Sequence, residues 1–212
     1  MKDILFFFII CIYLANPLKG QDSFRTVFNT FEETCTSNID IGDYIPLAVS
    51  FNCIASHEVQ SKPSMPDLYL KIGNLKTTLL ELSFDFQTGY LKGFSIILLP
   101  NVKLKEALKI NYISWKEGIP MLNPNLWNAS SKGLEFSDLV TSDYHVSVEE
   151  DFNVVLSECS ITILFQDQDL FFNHSLKQDN VVFLIKENQS LGGFIIELEK
   201  SELNRFRELW LQ

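Results

Sequence analysis

The stretch from Thr78 to Leu99 constrains the fold more than any other part of the sequence. Leu80, Leu82, Phe84 and Phe86 alternate with polar residues, Thr88-Gly89 supplies a turn, and residues 90–99 return as a second strand ending at Pro100. A period of two places every second side chain on one sheet face, and Gly89 tolerates the positive φ of a tight reversal. An isolated hairpin is marginal in water, so this one needs an apolar face to pack on.

Residues 191–198, LGGFIIEL, echo residues 91–98, LKGFSIIL. Leu91, Gly93, Phe94, Ile96 and Leu98 recur as Leu191, Gly193, Phe194, Ile196 and Leu198, at a constant offset of 100. Two explanations compete. One is a duplicated hairpin unit, with half-units at 65–117 and 143–200 joined by a long loop over 118–142. The other is ordinary hairpin grammar, in which glycine permits a bulge or close approach and aliphatics fill one face. Further strands are expected at 48–54, 67–72, 144–149, 152–157, 160–165, 181–187 and 193–199, and residues 56–66, with two prolines, as a loop. Residues 101–117 read as either strand or short helix.

Both ends read as helices. Phe24, Val27, Phe28 and Phe31 fall at i, i+3, i+4 and i+7, which predicts a helix over 23–35 capped by Asp22 or Ser23. SELNRFRELW predicts another, with Ser201 as cap and Leu203, Phe206, Leu209 and Trp210 along one face. The expected fold class is therefore α+β: antiparallel hairpins with an N-terminal and a C-terminal amphipathic helix, in one domain over 21–212.

Residues 1–20, MKDILFFFIICIYLANPLKG, set the expected compartment. The apolar run from Ile4 to Ala15 is shorter than the roughly 20 residues of a membrane span and is followed by small and turn-forming residues, as in a secretory signal. Its removal takes away Lys2, Lys19 and Asp3, and leaves a net charge of −11 on 192 residues. Later apolar stretches are short and interrupted, so stable membrane insertion is not expected. Cys35, Cys53 and Cys159 then remain, and export predicts one disulfide and one free thiol. Three pairings are possible; Cys35 with Cys53 is preferred, leaving Cys159 free. Asn128-Ala-Ser130, Asn173-His-Ser175 and Asn188-Gln-Ser190 are N-glycosylation triplets in a host that modifies asparagine.

No reaction is announced. His57, His145 and His174 lie far apart in sequence, outside any HExxH or Cys/His spacing, so neither a metal centre nor a cofactor is expected. No GxSxG is present, and Gly192-Gly193 sits in a hairpin with no helix start to receive a phosphate. Asp167-x-Asp169 opens like a calcium loop but lacks its glycine and closing glutamate. The pairs Glu32-Glu33 and Glu149-Glu150-Asp151 read as solvated surface. With 17 Lys and Arg against 27 Asp and Glu, nucleic acid is an unsuitable partner.

A protein-binding role fits best. Trp115, Trp127 and Trp210 are aromatic anchors in prospect, and Met121, Leu122 and Leu126 join Trp127 on the expected loop. Glu149, Glu150 and Asp151 are further contact candidates, and an acidic surface steers toward a basic partner. The hairpin FDFQTGYLKGFSIIL resembles short hairpins of small bacterial antitoxin-like immunity domains, over under a tenth of the chain and with no diagnostic motif. The expected function is a secreted or periplasmic inhibitor or immunity-type protein that blocks a basic toxin or hydrolase. The alternatives are an accessory subunit of an envelope or extracellular assembly, a hydrolase with an unrecognised carboxylate site, and a carrier with an apolar cavity.

Overall fold

The computed structural model describes residues 27–31, 35–53, 67–105, 110–122, 127–130, 133–136, 139–141, 144–165 and 171–211. The expected signal at 1–20 and the loop at 56–66 lie outside them. Strands dominate the described residues, with a single helix near the C-terminus, which overturns the α+β class in favour of a mostly β fold built on two mixed sheets.

The first sheet contains β2 (Cys35–Asp40), β3 (Leu47–Cys53), β4 (Leu68–Ile72), β5 (Leu79–Phe84), β6 (Leu91–Leu98) and β13 (His145–Val148), in the order β13-β4-β5-β6-β3-β2. The second contains β7 (Val102–Leu104), β8 (Asn111–Glu117), β14 (Phe152–Leu156), β15 (Ser160–Phe165), β16 (Phe171–Gln178), β17 (Val181–Ile185) and β18 (Leu191–Glu197), in the order β7-β14-β15-β18-β17-β16-β8. The stretch expected as a loop over 118–142 holds short strands instead. β9 (Ile119–Leu122) pairs with β1 (Val27–Phe31), while β10 (Trp127–Ser130), β11 (Gly133–Phe136) and β12 (Leu139–Thr141) form a small sheet of their own.

The expected N-terminal helix over 23–35 is not formed: its described part is β1, and Cys35 already opens β2. The i, i+3, i+4 spacing is real, but Val27, Phe28, Thr30 and Phe31 are β-branched or aromatic and suit a pleated surface. Pairing with β9 then decides the conformation. The C-terminal helix, α1 (Lys200–Trp210), is the only helix among the described residues. Its cap is Glu199 and not Ser201: the Glu199 side chain accepts from the backbone N–H of Glu202, and the Glu202 carboxylate accepts from the Glu199 N–H.

Residues from both sheets share one core, with Leu47, Leu80, Leu82, Ile96, Ile163, Phe183, Phe194 and Ile196 fully buried. Phe94 of β6 stacks on Phe194 of β18 with ring centroids 4.2 Å apart, so the two echoed phenylalanines meet across the sandwich. Phe51 and Phe183 make a second contact between the sheets at 5.5 Å.

The two sheets also repeat one another. In the first, the hairpin β2–β3 lies beside the meander β4–β5–β6, with β3 next to β6. In the second, β14–β15 lies beside β16–β17–β18, with β15 next to β18. Each meander carries a bulge at the same place: Gly93 faces Ser83 while Leu91 faces Phe84, and Gly193 faces Leu184 while Leu191 faces Ile185. The matching stretches run from Cys35 to Leu98 and from Phe152 to Glu197. The segment between them contributes one outer strand to the first sheet, β13 parallel to β4, and both outer strands to the second, β7 parallel to β14 and β8 parallel to β16.

Cys35 and Cys53 face one another at the open end of the β2–β3 hairpin and form a disulfide. The same end is tied to the other sheet, since Gln178 Nε2 donates to the Cys35 carbonyl at 2.6 Å and the Ser37 N–H donates to Asp179 Oδ2 at 2.7 Å. A crosslink closing a loop of this size restricts the unfolded chain by about 3 kcal/mol. Reduction, or Cys35→Ala with Cys53→Ala, should therefore lower the unfolding free energy by about that amount, read from denaturant midpoints. An unchanged midpoint would show that the strand pairing alone holds this end.

Candidate functional site

The end of the sandwich opposite the disulfide is closed by α1, which buries Leu203 and Phe206 in the core. The helix ties down two loops that correspond in the two sheets. Trp210 Nε1 donates to the Gly42 carbonyl of the β2–β3 loop at 3.0 Å, and Arg207 Nη2 donates to the Ser157 carbonyl of the β14–β15 turn at 3.1 Å. The β2–β3 loop is also closed on itself, because the Gly42 N–H donates to the Ile45 carbonyl at 3.1 Å. Pro46 follows and fixes its own φ.

On this braced loop Tyr44 is 94% exposed and Ile45 40% exposed. An aromatic side chain held almost entirely in water, on a backbone that is fixed, is the most conspicuous surface feature among the described residues. Beside it runs a cleft of about 510 Å³ between the β6–β7 crossover and the end of α1, lined by Leu98, Pro100, Val102, Leu104, Trp210 and Leu211. Trp210 joins the two features, bonding the loop and lining the cleft. Of the lining residues, Leu104 is 71% exposed. Such a surface can hold an apolar or aromatic segment of a partner, with little ordering cost on this side.

The residues anticipated from sequence are distributed differently. Leu122 is 2% exposed and belongs to the core. Its N–H donates to the Gly89 carbonyl at 2.9 Å, and Met121, half-buried, bridges Tyr90. β9 docks on the β5–β6 turn, which buries Leu122 and leaves Met121 half-buried. Trp127 lies in β10, and Leu126 lies outside the described residues. Trp115 is 59% exposed on the outermost strand β8. Glu149 and Asp151 are exposed and Glu150 half-buried in the β13–β14 connection, away from the loop and cleft in sequence. Cys159 is a free, exposed thiol in the β14–β15 turn. Tyr44 carries no sequence signal beyond its place in the aperiodic apolar run 44–55, which Pro46 interrupts.

Polar chemistry elsewhere is modest. Ser114 Oγ and His174 Nδ1 are 3.0 Å apart across β8 and β16, but both side chains are exposed, so water competes for each. Lys92 Nζ bonds Asp67 Oδ1 at 2.8 Å. Partial burial works against the ammonium, but the hydrogen bond and charge of Asp67 outweigh it and raise the Lys92 pKa. Tyr69 is raised as well, chiefly by burial and then by Asp67 and Glu81. Both shifts lie in the alkaline range, so neither group changes state near neutrality. Among the described residues no three His, Cys, Asp or Glu side chains gather as a metal site. The pairs Glu32-Glu33 and Asp167-x-Asp169 and the side chain of His57 lie outside them.

No helix among the described residues is long and apolar enough to cross a membrane, which says nothing of crossing by strands. The disulfide is compatible with an extracytoplasmic protein. No protein-family model matches the sequence, and a search of curated proteins returns no match.

Proposed function

We propose that the chain is an exported, non-enzymatic binding module that presents the Tyr44 loop and the adjoining cleft to a basic protein, as an inhibitor or immunity-type protein would. The observation that carries this is Tyr44, 94% exposed at the tip of a loop braced by the Gly42–Ile45 and Trp210–Gly42 hydrogen bonds. Tyrosine on a fixed backbone offers a large contact area for little entropy, which is why such residues recur as binding hot spots. The net charge of −10 supplies the long-range attraction and selects against polyanions. The secretory-type leader and the disulfide agree with a partner met outside the cytoplasm.

The test uses the chain and its Tyr44→Ala variant as baits for the secreted or envelope fraction of the source organism. One basic protein should be retained stoichiometrically by the unaltered chain and released by salt. Its affinity for Tyr44→Ala should fall by roughly thirtyfold, the effect of a hot-spot truncation of about 2 kcal/mol. The melting temperature of the variant should be unchanged, because the removed side chain packs on little. Equal retention by both baits, or no stoichiometric partner for either, would overturn the proposal.

A further inference from the structure

Of the three asparagine triplets, Asn188-Gln-Ser190 has its asparagine in an exposed turn. Asn188 lies exposed in the hairpin turn between β17 and β18. The turn is closed by Gln189 N–H to the Lys186 carbonyl at 3.0 Å and by Lys186 N–H to the Ser190 carbonyl at 2.9 Å. Gln189 adopts φ 63°, and the chain reverses sharply there. Within the triplet, Ser190 acts on Asn188 directly. Its hydroxyl donates to Asn188 Oδ1 at 2.6 Å and its N–H donates to the same oxygen at 3.0 Å. Two donors on one carbonyl oxygen polarise the carboxamide and make its N–H protons more acidic. That eases loss of a proton from Nδ2 to a base as the bond to sugar forms.

The other triplets are differently placed. Asn173 belongs to β16, an interior strand between β17 and β8; its Ser175 is buried like Ser190, at 1% against 4% exposed, but the Ser175 hydroxyl donates to the Ser114 carbonyl at 3.3 Å. Asn128 lies within β10 of the small three-stranded sheet. The Cys35–Cys53 disulfide independently agrees with an oxidising compartment, where asparagine-linked sugars are attached in hosts that make them.

We infer that Asn188 is an N-glycosylation site. The donor class is an oligosaccharide linked through pyrophosphate to a lipid. Asn188 Nδ2 gives one proton to a base of the transferase and forms a bond to the sugar C1. The C1–O bond to pyrophosphate breaks, and the lipid pyrophosphate leaves with the electron pair. Neither partner is oxidised or reduced. This inference does not depend on the partner proposed above.

The test expresses the full chain in a secretory host that modifies asparagine and maps peptides from the whole cellular and secreted pool. Most chains should carry glycan at Asn188, more than at Asn173. Asn188→Gln should lose that glycan mass, Ser190→Ala should lose it too, and Ser190→Thr should keep it. The threonine variant separates loss of the hydroxyl from loss of the fold. Recovery of Asn188 as unmodified asparagine, or higher occupancy at Asn173, would overturn the inference.

Discussion

Replacing Phe194 with alanine should lower the unfolding free energy by about 4 kcal/mol, within the range for burying no more than a methyl where a core ring stood. Phe194 is fully buried, stacked on Phe94 at 4.2 Å, and meets the edges of Phe165 at 5.6 Å and Phe183 at 5.9 Å. Its removal takes contacts from both sheets at once, and the three remaining rings cannot all collapse into the space. Phe94→Ala should cost a similar amount. The double variant should cost less than the sum of the two, because the stacked pair is lost only once, and the shortfall should be about 1 kcal/mol. Equilibrium denaturation of the four proteins supplies the cycle. A single-variant loss below about 1 kcal/mol would mean that the two sheets are not held together here.

That pair was half-legible in the sequence. The echo of LKGFSIIL in LGGFIIEL placed Phe94 and Phe194 at like positions, but no rule of periodicity says that like positions face one another. The antiparallel neighbours β5–β6 and β17–β18 were readable because both partners and their turn are local. β2 was not, because CTSNID has too few apolar side chains to mark a period. β16 was also missed: FFNHSLKQ mixes its polarity. The parallel pairs β13–β4, β8–β16 and β7–β14 join strands remote in sequence, which local patterns cannot pair. The N-terminal helix failed for the opposite reason: a good helical spacing was overridden by strand-forming residue types and an available partner. At the proposed binding surface, Trp210 was anticipated on the helix, whereas Tyr44 required the loop around it to be known. Its exposure follows from the bonds to Gly42, and nothing in GDYIP displays them.

Gly93→Ala and Gly193→Ala should each destabilise the fold by about 3–5 kcal/mol, the sum of a core overpacking penalty and broken ladder bonds. A Cβ added at Gly193 would lie 2.2 Å from the Ile163 carbonyl oxygen and 3.2 Å from the Leu164 Cα. At Gly93 it would lie 2.4 Å from the Val49 carbonyl oxygen and 3.3 Å from the Ser50 Cα. The obstacle is the same in both sheets: backbone of the neighbouring strand, β15 or β3, which cannot move aside without leaving its own pairings. Glycine is thus required for close approach next to the shared bulge, which explains why it recurs at the offset of 100. Gly42→Ala is the control, since its added Cβ would meet nothing nearer than the Ile45 carbonyl oxygen at 3.4 Å. It should change stability by less than about 1 kcal/mol. If alanine at 93 and 193 were as harmless as at 42, the close strand approach would not be a requirement of either sheet. If only one position were sensitive, the two meanders would share their strand order but not their packing, and the correspondence between them would end at topology.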